Sequence, residues 1–245
     1  MTKETNKDIV DALFGAGAHF GFVKSRRHPS AKPFIFGAKN KIEIFDLEKT
    51  SLELLKAVEF VEAKGKEGVM GLFVGGKSEA RKGVIDAGKA LEMPFVSGRW
   101  IGGTLTNYPE IKKRIMRLEE LTSQREKGEL AKYTKKERLL IDREIDKLNL
   151  YFSGLSTMKA LPKFLVVVDP KKEHIAVSEA KKMKLPVVAL AGSDTNLHSV
   201  DYAIPANDSS KQSIEFIMGE LVKAYQKGRS EAPQPSAEAT AGKVA

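Results

Sequence analysis

Phe164-Leu165-Val166-Val167-Val168 decides the fold class. It has no polar residue on either face, so a strand made of it must be covered on both sides. A helical run follows at residues 173–183, and a second apolar strand at 187–190. Strand, helix and strand in that order describe a parallel sheet between layers of helices. The same grammar extends outward in both directions. Downstream, residues 202–204 read as a strand and 211–226 as a helix. Upstream, 69–74 and 94–97 read as strands around a helix at 78–91. Residues 47–64 form another helix, which Gly65 and Gly68 are expected to end. The expected class is α/β, with a three-layer α/β/α arrangement.

The N-terminal part has a different pattern. Ile9, Val10, Leu13 and Phe14 give residues 8–15 one apolar side, as in a short amphipathic helix. Residues 24–41 hold Lys24, Arg26, Arg27, Lys32, Lys39 and Lys41 without one acidic residue. Two short β runs flank Gly37-Ala38-Lys39-Asn40, which predicts a hairpin. Residues 106–155 contain no strand pattern. Ile111, Ile115 and Leu118 are spaced four then three, and Ile141, Ile145, Leu148 and Phe152 repeat four, three, four. Thr134-Lys-Lys-Glu137 is a capping box, so a helix starts there. Two narrow apolar seams joined by a polar turn predict an antiparallel α-helical (coiled-coil) hairpin inserted in the α/β unit. Its base is expected to pack on that unit. The expected division is therefore a core at 1–105 and 156–228, a hairpin at 106–155 and a tail at 229–245. The tail is rich in Ala, Pro, Ser and Glu, and its composition predicts disorder.

Composition narrows the function. The chain has 245 residues, 41 Lys and Arg against 32 Asp and Glu, a net charge of +9 and no cysteine. A disulfide scaffold, a thiol nucleophile and a cysteine-ligated zinc site are excluded. Apolar runs such as 164–168 are far short of the roughly 20 residues of a membrane span. Residues 1–7 lack the apolar stretch of a signal peptide, so a cytoplasmic location is expected. His19, His28, His174 and His198 have no metal-ligand spacing. No cofactor and no small-molecule substrate are expected. The acid-free run at 24–41, with Phe and Gly interleaved, points to phosphate contacts with nucleic acid. Lys112, Lys113 and Arg114 add charge to the hairpin, although glutamates are mixed among its basic residues.

Two further segments each allow two readings. Gly71-Leu-Phe-Val-Gly-Gly-Lys77-Ser78 matches the phosphate-loop pattern. Its Leu72, Phe73 and Val74 belong to a strand, however, which leaves only Gly75 and Gly76 as loop. A tight strand-to-helix turn is the simpler reading, and a nucleotide-binding enzyme is the alternative. Arg99-Trp100-Ile-Gly-Gly-Thr-Leu-Thr-Asn107 holds the only Trp, just after a strand end where open α/β sheets bind ligands. Either Trp100 stacks on a base while Arg99 meets phosphate, or Trp100 plugs the base of the hairpin.

Several blocks carry a family resemblance. They are His19-Phe-Gly21, Lys32-Pro-Phe-Ile-Phe-Gly37, Asn40-Lys41, Leu47-Glu-Lys-Thr50, Phe73-Val-Gly75, Arg99 to Asn107, and Ile204-Pro-Ala-Asn-Asp208. In this order the chain resembles the bacterial small-subunit ribosomal protein S-2 family over about residues 8–228. The resemblance implies a flavodoxin-like core with a protruding helical hairpin, and a structural role without catalysis. It implies binding to small-subunit (16S) rRNA near the neck between head and body, beside neighbouring ribosomal proteins. It also implies docking of the mRNA-binding ribosomal protein S-1. Lys24, Arg26, Arg27, Lys39 and Lys41 are then expected to neutralise phosphates. Arg99 and Trp100 would anchor the hairpin and present a contact, and Lys112, Lys113 and Arg114 would extend the basic surface. Two positions depart from the family pattern: Phe22 stands where many members carry a second His, and residues 192–198 differ from the more frequent loop.

Overall fold

The computed structural model describes residues 3–231. Five parallel strands form the main sheet: β4 (Gly71–Val74), β5 (Phe95–Val96), β6 (Phe164–Val168), β7 (Val187–Ala191) and β8 (Tyr202–Pro205). Their order is β5-β4-β6-β7-β8, so the chain direction across the sheet reverses between β4 and β6. This is the flavodoxin-like order, whose ligand crevice lies at the carboxyl ends of the two strands at the reversal.

Alternation along the strands assigns the two cores. Phe164, Val166 and Val168 face one side with Phe73, Val188, Leu190 and Ile204. That side is covered by α1 (Lys3–Gly15), α2 (Leu47–Lys66), α3 (Ser78–Leu91) and α7 (Lys211–Glu231). Leu165 and Val167 face the other side with Leu72, Val74, Val187 and Ala189. There the cover is α6 (His174–Lys182) together with α4 (Tyr108–Glu126) and α5 (Lys135–Phe152). Ile111, Ile115, Leu118, Ile145, Leu148 and Phe152 all belong to this second core. The inserted helices thus pack on the sheet as well as on each other. Thr134 caps α5, with both halves of the capping box made. Arg117 reaches Glu144 across the pair at 3.5 Å.

A second sheet of three antiparallel strands, in the order β1-β3-β2, is built from β1 (Phe20–Val23), β2 (Ile35–Lys39) and β3 (Ile42–Phe45). The β2–β3 hairpin is the expected one. Asn40 and Lys41 both take positive φ, 51° and 68°, as a two-residue primed turn requires. β1 was not expected, because its four residues are too few to show a period.

Three boundaries move. Gly65 lies inside α2 rather than ending it. A Cβ there would strike the Tyr225 carbonyl, and one at Gly228 would strike the Glu62 carbonyl. These two glycines let α2 and α7 come into backbone contact. Gly68, at φ 63°, turns the chain instead. α7 runs to Glu231, so residues 229–231 are helical and the tail boundary at 229 is too early. The disorder expected for residues 232–245 lies outside the described residues. Among the described residues, no helix is long and apolar enough to cross a membrane.

Candidate nucleic-acid interface

The three-stranded sheet sits at the carboxyl end of the main sheet. Phe22 N–H donates to Ser193 Oγ at 2.9 Å, and His28 N–H to the Ser193 carbonyl at 2.9 Å. Ser30 Oγ accepts from Leu197 N–H. The variant loop at 192–198 is therefore the seat of the N-terminal basic segment.

That seating divides the basic residues. Arg27 pairs with the buried Glu43 at 2.9 Å and is itself three-quarters buried. Arg26 pairs with buried Asp194 at 3.0 Å and lies over the Phe22 ring, its guanidinium carbon 4.6 Å from the centroid. Lys171 shares the same Asp194 oxygen at 2.7 Å. Lys24, Lys39 and Lys41 are exposed and make no ion pair among the described residues. Lys41 holds a left-handed conformation where glycine is the residue without strain.

The outer face of this sheet is apolar. Residues paired across strands share a face. Phe20 pairs with Ile44, and Ile42 with both Val23 and Lys39. Phe36 lies at the register shift of β2 and is 80% exposed; Phe20 is 49% and Ile42 41% exposed. His19 stacks between Phe14 and Phe20, with centroids at 4.5 and 4.0 Å. Burial holds the His19 pKa below its ordinary value.

The segment from Arg99 to Asn107 is organised by a residue that sequence reading missed. Glu179 of α6 is buried. Its Oε1 accepts from Trp100 Nε1–H at 3.1 Å and Gly103 N–H at 2.8 Å. Its Oε2 accepts from Leu105 N–H at 3.0 Å and from both Thr106 N–H and Thr106 Oγ at 3.1 Å. Burial pushes this carboxyl's pKa up, but the donors outweigh it and hold the group below the ordinary range. Trp100 is 4% exposed and offers no ring face to a base. Of the two readings of Trp100, the structure selects the plug. Arg99 remains exposed beside it without an ion pair. A glutamate amid a helical run gives no sequence signal of this role. Only the nearby glycines and threonines hint that something must collect their N–H groups.

On α4, Lys112, Lys113 and Arg114 are exposed. Lys113 pairs with Glu110 at 2.6 Å, while Lys112 makes no ion pair among the described residues. The structure thus joins α4 to the Arg99 segment but does not merge either with the N-terminal patch.

The phosphate-loop match does not build a phosphate site. A Cβ on Gly71 would overlap the Phe164 ring, so this glycine serves strand packing. Gly76 N–H donates to Glu173 Oε1 at 3.2 Å. Lys77 lies 2.7 Å from Asp169 Oδ2 and 2.9 Å from Asp208 Oδ2. Burial disfavours the ammonium, but the two carboxylates outweigh it and raise its pKa. Burial raises the Asp208 and Glu173 pKa values, which Lys77 and Gly76 N–H oppose respectively. Lys77 is thus already neutralised by protein.

Comparison with known proteins agrees with this geometry. The family model described as "Ribosomal protein S2" matches residues 13–228. A relative from Coprothermobacter proteolyticus, "Small ribosomal subunit protein uS2", is 42% identical over 217 residues, 89% of this chain and 81% of its own. One from Roseiflexus sp. (strain RS-1) with the same name is 41% identical over 219 residues, 89% of this chain and 84% of its own. Another from Chloroflexus aggregans is 38% identical over 229 residues, covering 93% and 96%. The family is one of ribosomal structural proteins rather than enzymes, and this chain belongs to it.

Proposed function

We propose that this protein binds 16S rRNA near the neck of the small subunit, in the bacterial cytoplasm, and helps dock ribosomal protein S-1. The observation that carries the RNA reading is the set of exposed cations without carboxylate partners: Lys24, Lys39, Lys41, Arg99 and Lys112. Lysines elsewhere on exposed helices pair with a glutamate three residues away, as Lys56 does with Glu53 and Lys223 with Glu220. Arg26, Lys113 and Arg114 keep exposed head groups that add to the same field. Arg27 and Trp100 act from inside, holding the loops that present the cations. S-1 docking is assigned to the uncovered face around Phe20, Phe36 and Ile42, because an apolar sheet face in water fits a protein partner.

The test is competitive assembly. Wild type and a variant with Lys24→Glu, Lys39→Glu and Lys41→Glu are offered together to small subunits lacking this protein. We expect the variant to be under-represented in particles purified at moderate salt, with an unchanged circular dichroism spectrum. Equal occupancy overturns the assignment of these lysines. Phe36→Ser should leave occupancy unchanged and lower the S-1 retained on the particles; unchanged S-1 removes the docking assignment.

A further inference from the structure

A second basic surface lies at the other end of the main sheet. Lys163 immediately precedes β6, and Lys184 lies just before the neighbouring β7. Lys181 and Lys182 close α6, and Lys159 follows buried Met158. All five are exposed and make no ion pair among the described residues. Their neighbours Met158, Ala180 and Leu185 belong to or pack on one apolar core, which also holds Ile111 next to Lys112. The Tyr108 hydroxyl donates to the Met158 carbonyl, bringing the first turn of α4 to the same place. The lysines therefore flank the base of the inserted helices.

A solvated helix end explains only part of this. Lys181 and Lys182 favourably face the negative end of the α6 dipole. That argument does not reach Lys159 or Lys163, which are outside any helix. It does not reach Lys184, which has φ 55°. Leu185 N–H donates to the Ala180 carbonyl at 2.9 Å, and Lys184 N–H to the Lys181 carbonyl at 3.0 Å. This is the helix-ending turn in which glycine avoids strain. A lysine there carries a backbone cost that only its side chain can justify, as at Lys41. Nearby carboxylates do not offset the charge. Glu179 is saturated by five donors, and Asp201 Oδ2 accepts from Val187 N–H at 2.8 Å.

We propose that these lysines, centred on Lys184, form a second phosphate-binding surface that takes the backbone of a duplex RNA segment. It is separate from the N-terminal patch, which sits at the carboxyl ends of strands five residues or about 16 Å long. The proposal rests on the reading of the chain as an rRNA-bound component. It adds that the chain bridges two RNA segments from opposite ends of its sheet.

Two measurements on the full chain test it. Because the chain has no cysteine, Lys184→Cys and Lys39→Cys each introduce a single thiol for a tethered iron chelate that cleaves nearby RNA. In assembled small subunits we expect cleavage from both positions, at different rRNA segments. Cleavage from position 39 alone overturns this proposal and leaves the first interface standing. Cleavage from neither, in particles that contain the protein, overturns both. The second measurement is Lys184→Gly binding to a protein-free small-subunit rRNA transcript. Losing one phosphate contact at 0.1 M salt should weaken binding about 8-fold, while the melting temperature rises. A higher melting temperature with unchanged affinity makes Lys184 a solvated residue and refutes its role. Cross-linking of position 184 to an acidic protein without RNA cleavage also refutes it.

Discussion

Replacing Glu179 with alanine should unfold the joint between the sheet and the inserted helices before it affects anything else. The magnitude follows from the donors left behind. Trp100 Nε1–H and Leu105 N–H are buried, so water cannot replace the carboxylate for them. A buried donor left unpaired costs about 1–3 kcal/mol. Gly103 N–H and the Thr106 groups are partly accessible and recover much of their loss. The expected cost of Glu179→Ala is therefore about 4 kcal/mol, a large share of a typical stability of roughly 5–15 kcal/mol. Glu179→Gln keeps one accepting oxygen but turns an NH2 group toward other donors, and should cost about half as much. Urea unfolding followed by circular dichroism measures the total. The chain has one tryptophan, so fluorescence reports Trp100 alone.

The pH dependence provides an independent reading. The Glu179 pKa is lowered in the folded state, so its charged form contributes stability above the ordinary carboxylate range. That contribution disappears as pH falls through the lowered folded value. The difference between wild type and Glu179→Ala should be full at neutral pH and shrink below about pH 4. A cost under about 1 kcal/mol, or a Trp100 emission spectrum that does not move in the native variant, refutes the assignment of Glu179 as the organiser.

Lys77→Met should cost about 3–5 kcal/mol at neutral pH, because it strands Asp169 and Asp208 together. The deficit should narrow at lower pH as Asp208, already raised by burial, takes a proton; urea midpoints at pH 7 and 5 check this. Gly228→Ala should lose at least about 1–3 kcal/mol by forcing α2 and α7 apart, measured as a lower thermal midpoint.

Legibility in the sequence tracked whether a feature is local. The strands of the main sheet were readable because burial on both faces leaves an uninterrupted apolar run, as in Phe164–Val168. The capping box at Thr134 and the Asn40-Lys41 turn were readable because each is complete within four residues. What escaped notice depends on distant partners. Gly65 looks like a helix terminator until the Tyr225 backbone is placed against it. Arg26 and Arg27 look like free cations until Asp194 and Glu43 arrive from elsewhere in the fold. Glu179 has no local mark, since all of its donors lie more than 70 residues away. Charge patterns count residues; only the tertiary structure decides which charges remain unpaired.

That distinction also explains how a ligand-binding fold serves a structural role here. At the reversal of strand order, related architectures leave a crevice lined by free N–H groups and an unpaired cation. Here Glu173 takes the Gly76 N–H, and Asp169 and Asp208 take Lys77. Beside them Asp194 takes Arg26 and Lys171, fastening the N-terminal sheet over the same edge. Every group that would have recognised a phosphate is committed to the protein's own carboxylates. The crevice has become a joint, which fixes where the exposed lysines point. The charge left for nucleic acid lies on surfaces set at opposite ends of the sheet. A protein arranged in this way gains its function from the rigidity of the crevice rather than from its contents.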